Sequence, residues 1–277
     1  MLAVFRVEAY KNLRRPRTFV ALGLALLIPT ILTIALKANP PTPGPGEEGL
    51  FVLAPNSGFI VAVAALRFMS RFLLVLIAAL FAGDAVAADA AWGNLRYSLV
   101  RPIRRARLLA AKLTVSALLT LTATLLIVIA GVVVGGIAFG WGGVNLGFFG
   151  AGPLAAGLSQ TAGQLLWNVV LAAFYVAWNL AAVVSFGFFV STLTDVPQGG
   201  VGAAIGLYIV SQILDAITSL GSIRYALPTH YLDSWDALFF RHGPNADMLR
   251  GVLLQIGYIV VFCGLAFWRF QRKDILS

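Results

Sequence analysis

Residues 89–112, DAAWGNLRYSLVRPIRRARLLAAK, form the longest basic segment of an otherwise apolar chain, and hydrophobic runs border it on both sides. Six of these residues are cationic: Arg96, Arg101, Arg104, Arg105, Arg107 and Lys112. Lys and Arg resist translocation, so such a cluster between two membrane spans marks the cytoplasmic side. Pro102 divides the segment. The residue before a proline is pushed out of the α region, so 89–100 and 103–112 read as two short helices meeting at a bend.

Working outward, composition sets the class. Hydrophobic residues make up 60% of the 277, charged residues only 11%, and mean hydropathy is +0.89, which excludes a water-soluble domain. The net charge of +9 follows membrane sidedness rather than nucleic acid. A single cysteine, Cys263, excludes an intrachain disulfide and a cysteine-based zinc site. The basic N-terminus leads into an apolar run long enough to span, without a small-residue cleavage site behind it. A retained first span is therefore expected, not a cleaved signal.

The expectation is an all-α, polytopic protein of the bacterial cytoplasmic membrane, with one transmembrane domain over residues 1–277. Residues 1–17 carry five cations and an apolar helical periodicity, and read as a leader helix on the inner surface. Six spans follow at about 18–36, 65–88, 113–139, 164–190, 199–220 and 251–268. Pro29 is expected to kink the first. Of the 20 basic residues, 14 fall in the leader, the central segment and the tail, which places both termini in the cytoplasm. Residues 227–240 predict a short outer helix with Leu232, Trp235 and Phe239 on one face, resting on the membrane or capping the bundle.

The central string resembles the signature of type-2 permeases, the membrane subunits of ATP-binding-cassette (ABC) exporters. Asp89, Gly93, Leu95, Arg96, Leu99, Pro102, Arg105, Leu108, Leu109 and Lys112 fall at the matching spacings. Asn94 stands where Thr is usual, Ala91 where a second acid is frequent, and Asp89 replaces the commoner Glu. The resemblance implies a coupling helix between spans two and three, carried by Asp89, Gly93, Arg96, Arg101, Pro102 and Arg105. It also implies a second permease subunit, identical or related, and a separate ATPase carrying ATP and magnesium. Cargo would be hydrophobic or amphipathic: a drug-like molecule, a lipid or a peptide. Surrounding lipids and no nucleic acid complete the expected partners. The residues themselves fit this division. The four lysines, Lys11, Lys37, Lys112 and Lys273, are followed by Asn, Ala, Leu and Asp, so none completes a phosphate-binding loop. No cofactor or catalytic role is expected of this chain. The alternatives are an intramembrane enzyme acting on prenyl or lipid substrates, and a scaffold without transport.

Within the spans, Gln164, Asn168, Tyr175 and Asn179 share a stripe about 60° wide at 100° per residue. Such a stripe faces protein or water rather than lipid, so it either lines a substrate path or hydrogen-bonds a neighbouring helix. Arg67 and Arg71 lie on one helix face, and Asp215, near the outer end of span five, is their candidate partner. Asp84 and Asp89 lie about 140° apart on a helix and do not converge on a metal. His230 and His242 fit no ligand spacing and read as solvated loop residues. With 28 glycines, the Gly-x-x-x-Gly matches, among them Gly131–Gly135, are no more than chance provides, and no dimer motif follows.

Overall fold

The computed structural model describes residues 2–41, 54–93, 104–145, 159–240 and 244–272. The described residues are helical almost throughout. Helix α1 (Leu2–Leu13) is the leader and α2 (Pro16–Ala38) the first long apolar helix. They part at Arg15, whose backbone is extended at φ −76° and ψ 131°, as its position before Pro16 requires. Helix α2 runs unbroken through Pro29, where the Thr33 hydroxyl donates to the Pro29 carbonyl at 2.8 Å.

Next come α3 (Gly58–Ser70) and α4 (Leu73–Gly83), two apolar helices meeting at 54°, and a short α5 (Ala87–Ala91). Helix α6 (Arg105–Phe139) is 35 residues long, about 52 Å at 1.5 Å per residue, and outreaches a 30 Å hydrocarbon core. Strands β1 (Val144–Asn145) and β2 (Ser159–Gln160) pair antiparallel, Val144 opposite Gln160. Helices α7 (Ala162–Asn179) and α8 (Ala181–Leu193) run on from one another, then α9 (Pro197–Ala216). A 3-10 segment (Thr218–Ala226), turns, the one-turn α10 (Ala237–Phe240) and α11 (Ala246–Arg272) complete the described residues. By length and composition α2, α6, α7 with α8, α9 and α11 are five candidate membrane spans, and the bent pair α3–α4 makes up to six.

The core is organised on α6. Helix α3 is buried along nearly its whole length and lies against the Phe139 half of α6. Gly58 donates its N–H to the Gly140 carbonyl at 2.9 Å. A Cβ on Gly131 would stand 2.6 Å from the Cα of Ala62, and one on Gly58 2.2 Å from the Gly136 nitrogen. Only bare backbone permits this approach. Further along, the Ser116 hydroxyl donates to the Phe81 carbonyl at 2.7 Å, tying α4 to the first half of α6. A second glycine contact joins α4 to α9, where a Cβ on Gly200 would meet the Gly83 oxygen at 2.0 Å.

Two expectations about boundaries change. The apolar path expected at 65–88 begins at Gly58 and ends at Gly83, with a break at Arg71–Phe72 and a turn at 84–86. The arginines do not end it, because both find aspartates within the protein. The helix expected at 227–240 is instead turns, a 3-10 turn at Ser234–Asp236, and α10. Its Leu232, Trp235 and Phe239 are buried nonetheless, so the segment caps the bundle from the end remote from Arg105.

Candidate functional site

The described part of the basic segment is anchored by a buried cluster of charges. Asp89, on α5, is 2% exposed, Lys112 on α6 is 3% exposed, and Glu8 on α1 is 6% exposed. The Lys112 ammonium reaches both Glu8, at 3.0 Å, and Asp89, and Lys11 also bonds Asp89, with Arg15 at 3.5 Å. Burial would raise the Asp89 carboxyl, but Lys112 and Lys11 outweigh it and hold it below the usual carboxylate range. Three elements distant in sequence are thus locked at one point. A neighbouring pair, Arg17 with Asp84, ties the start of α2 to the end of α4.

Asp89 is therefore turned inward. The chain's own cations surround it, so within this chain Asp89 anchors the start of the basic segment to α1 and α6. The short helix carrying it is held from another side too, since the buried Ser191 hydroxyl accepts the N–H groups of Val86 and Ala87 at 3.0 and 2.9 Å. Gly93 follows with φ +67°, a left-handed conformation natural to glycine, and turns the chain out of α5. Beside it Trp92 is 79% exposed. Sequence reading passed over this tryptophan, although an aromatic next to a cationic run is a recognisable interfacial signal. Arg96, Arg101 and Pro102 lie outside the described residues. Arg105, at the start of α6, donates to the Gln271 carbonyl at 3.3 Å, which brings the end of α11 to the same face.

The polar stripe serves as a seam. Gln164 closes a capping box with Thr161 at the start of α7 and is exposed. Asn168 donates to the Leu238 carbonyl at 2.9 Å and to Gln160 at 3.2 Å. The Tyr175 hydroxyl donates to the Tyr231 carbonyl at 2.8 Å. Asn179 donates to the Tyr175 carbonyl and accepts from Gln255 of α11, which also donates to the Pro228 carbonyl at 2.8 Å. Of the two readings of the stripe, these contacts favour the hydrogen-bonding seam: it fastens α7 to the capping segment and α11. The chain turns at Leu180, next to Asn179, where this network enters the helix. Gln255 was overlooked in sequence, yet an amide within an apolar span is itself a signal for such a partner.

Arg67 and Arg71 pair with aspartates other than Asp215. Arg67 bonds Asp236 and Arg71 bonds Asp233 at 2.5 Å, while Asp215 pairs with His230 at 2.5 Å and lies 3.4 Å from Arg224. The pairing of Arg67 and Arg71 with Asp215 is thereby corrected. Capping residues 233–236 bring two aspartates onto the arginine face and leave Asp215 to groups nearer in sequence. His230 is likewise paired rather than solvated. Burial raises the Asp236 carboxyl against the pull of Arg67.

Compared with known families, the sequence matches over residues 50–276 the family described as "Protein of unknown function (DUF2705)". No curated protein matches the chain.

Proposed function

We propose that this chain, which belongs to the DUF2705 family, is the membrane permease subunit of an ABC exporter. It would cross the cytoplasmic membrane six times, counting α3–α4 as one broken span, with both termini and the 89–112 segment in the cytoplasm. A separate ATPase would bind and hydrolyse ATP with magnesium, and a second permease subunit would complete the assembly. The cargo class is hydrophobic or amphipathic.

One observation supports this reading most. The basic segment leaves a helix locked by Asp89, Lys112, Glu8 and Lys11 to both α1 and α6. A force reaching α5 is therefore delivered to the leader and to the longest helix. Motion at the surface then reaches the Phe139 half of α6, where α3 packs backbone to backbone on Gly131 and Gly135. Such a chain of rigid elements is what coupling between sites requires.

The test is reconstitution. The chain and its co-purifying ATPase, placed in vesicles, are expected to move an amphipathic dye in an ATP-dependent manner. ATP hydrolysis by the complex without any movement of dyes, lipids or peptides would set the export reading aside.

A further inference from the structure

An apolar groove of about 430 Å³ opens between α6, α7–α8 and α11. Leu113, Ala117 and Leu121 form one wall, Trp178 and Ala181 the second, and Cys263 lies on the third. Its volume falls within the range of small-molecule pockets, roughly 300–1,000 Å³. Its lip is open sideways, since Leu118, Phe174 and Trp178 are exposed there. Along α6 the lining runs from Leu113 to Leu121, about 12 Å at 1.5 Å per residue. That is close to the thickness of one leaflet's hydrocarbon, about half of 30 Å.

Charge identifies the occupant. Arg107 precedes Thr114, a groove residue, by seven positions, so it lies on the same face of α6 and two turns nearer the basic end. Its side chain is exposed. The Arg105–Gln271 bond brings the ends of α6 and α11 together on the arginine side of the groove, beyond Leu113. An apolar channel one leaflet deep, with a cation at the headgroup level of its mouth, is complementary to one amphiphile: a phospholipid of net negative charge. We infer that this groove is a binding site for one anionic phospholipid. An acyl chain lies along Leu113, Ala117 and Leu121, and the phosphate meets Arg107. Arginine suits that phosphate because its planar fork presents two donors at once.

Native mass spectrometry of the full chain in mild detergent tests this, with added phosphatidylglycerol or phosphatidylcholine of identical acyl chains. The wild type is expected to retain one phosphatidylglycerol about fivefold in preference, the factor one cation near an anionic headgroup provides. Arg107→Gln should abolish the preference while apolar retention persists. Ala117→Phe should abolish retention of both lipids. Ala117 is exposed, so the larger ring fills the groove without crowding the core. Ala177→Leu, filling from the opposite wall, should do the same. Unchanged retention in both filled variants, or an undiminished preference in Arg107→Gln, overturns the assignment. So does a switch from dimer to monomer in Ala117→Phe with lipid still bound, because the groove would then be a subunit contact.

Discussion

Lys112→Met isolates the buried charge cluster. The substitution keeps a long unbranched side chain and removes the only cation bonded to Glu8 among the described residues. Glu8 and Lys112 are 6% and 3% exposed, so solvent cannot replace the lost partner. Breaking a buried ion pair on one side typically costs about 3–5 kcal/mol. Asp89 keeps Lys11 and Arg15, which places the expected loss near the lower end, about 3 kcal/mol. For a chain of this size that corresponds to a fall in Tm of about 6–12 °C. The double variant Glu8→Gln, Lys112→Met removes both charges and should recover much of the loss, giving a coupling energy of about 1–3 kcal/mol. Thermal unfolding of the detergent-purified protein, followed by tryptophan fluorescence, reads Lys112→Met, Glu8→Gln and the double variant against wild type. The sign of the pH dependence follows from Asp89. Its folded carboxyl lies below the unfolded value of about 3.9, so its contribution is complete above that pH and is lost only as pH falls through the lower folded value. The Asp89 contribution should hold unchanged from pH 8 to 5. A Tm change under about 2 °C in Lys112→Met, or a double variant as unstable as the two singles summed, would refute the lock.

Gly131→Val should sharply reduce folded yield, because its Cβ meets the backbone of Ala62 at 2.6 Å; Gly23→Ala, with nothing within 4 Å, is the matched control and should be near neutral in size-exclusion recovery. Asn179→Leu and Gln255→Leu should each cost about 1–3 kcal/mol by leaving a buried amide short of a partner, and the pair together less than their sum, read by thermal unfolding with dye selectivity unchanged. Asp236 shows the opposite sign to Asp89. Its folded carboxyl is raised, so its contribution is full below about pH 4 and is lost as pH rises through the raised value; Asp236→Asn should flatten that part of the stability profile.

Much of the helical layout was legible because an apolar run of spanning length has few alternatives in water. The leader helix followed from local rules alone, though it ends at Leu13 rather than at 17, because Pro16 forces Arg15 out of the helical region. What sequence could not place depended on partners far along the chain. Arg67 and Arg71 looked like a boundary because Asp236 and Asp233 lie more than 160 residues away. Asp89 looked like part of a surface motif because Glu8 and Lys11 are some 80 residues distant. Gly131 was indistinguishable from chance among 28 glycines until Ala62 was seen against it. Gln255 differs: a lone amide in an apolar helix was a visible signal, but it went unread until its bond to Asn179 was seen.

Affinity purification of the tagged chain from native membranes tests the central claim most directly, comparing wild type with the Arg101→Ala, Arg105→Ala variant. The buried Asp89, Lys112 and Glu8 are left unchanged, so the variant should be recovered in near-equal amount. Wild type should bring down an ABC ATPase in stoichiometric amount. The double variant should lose it, or retain it with ATP hydrolysis no longer tied to transport. A wild-type chain that purifies without any ATPase, under conditions that preserve other membrane complexes, would contradict the account.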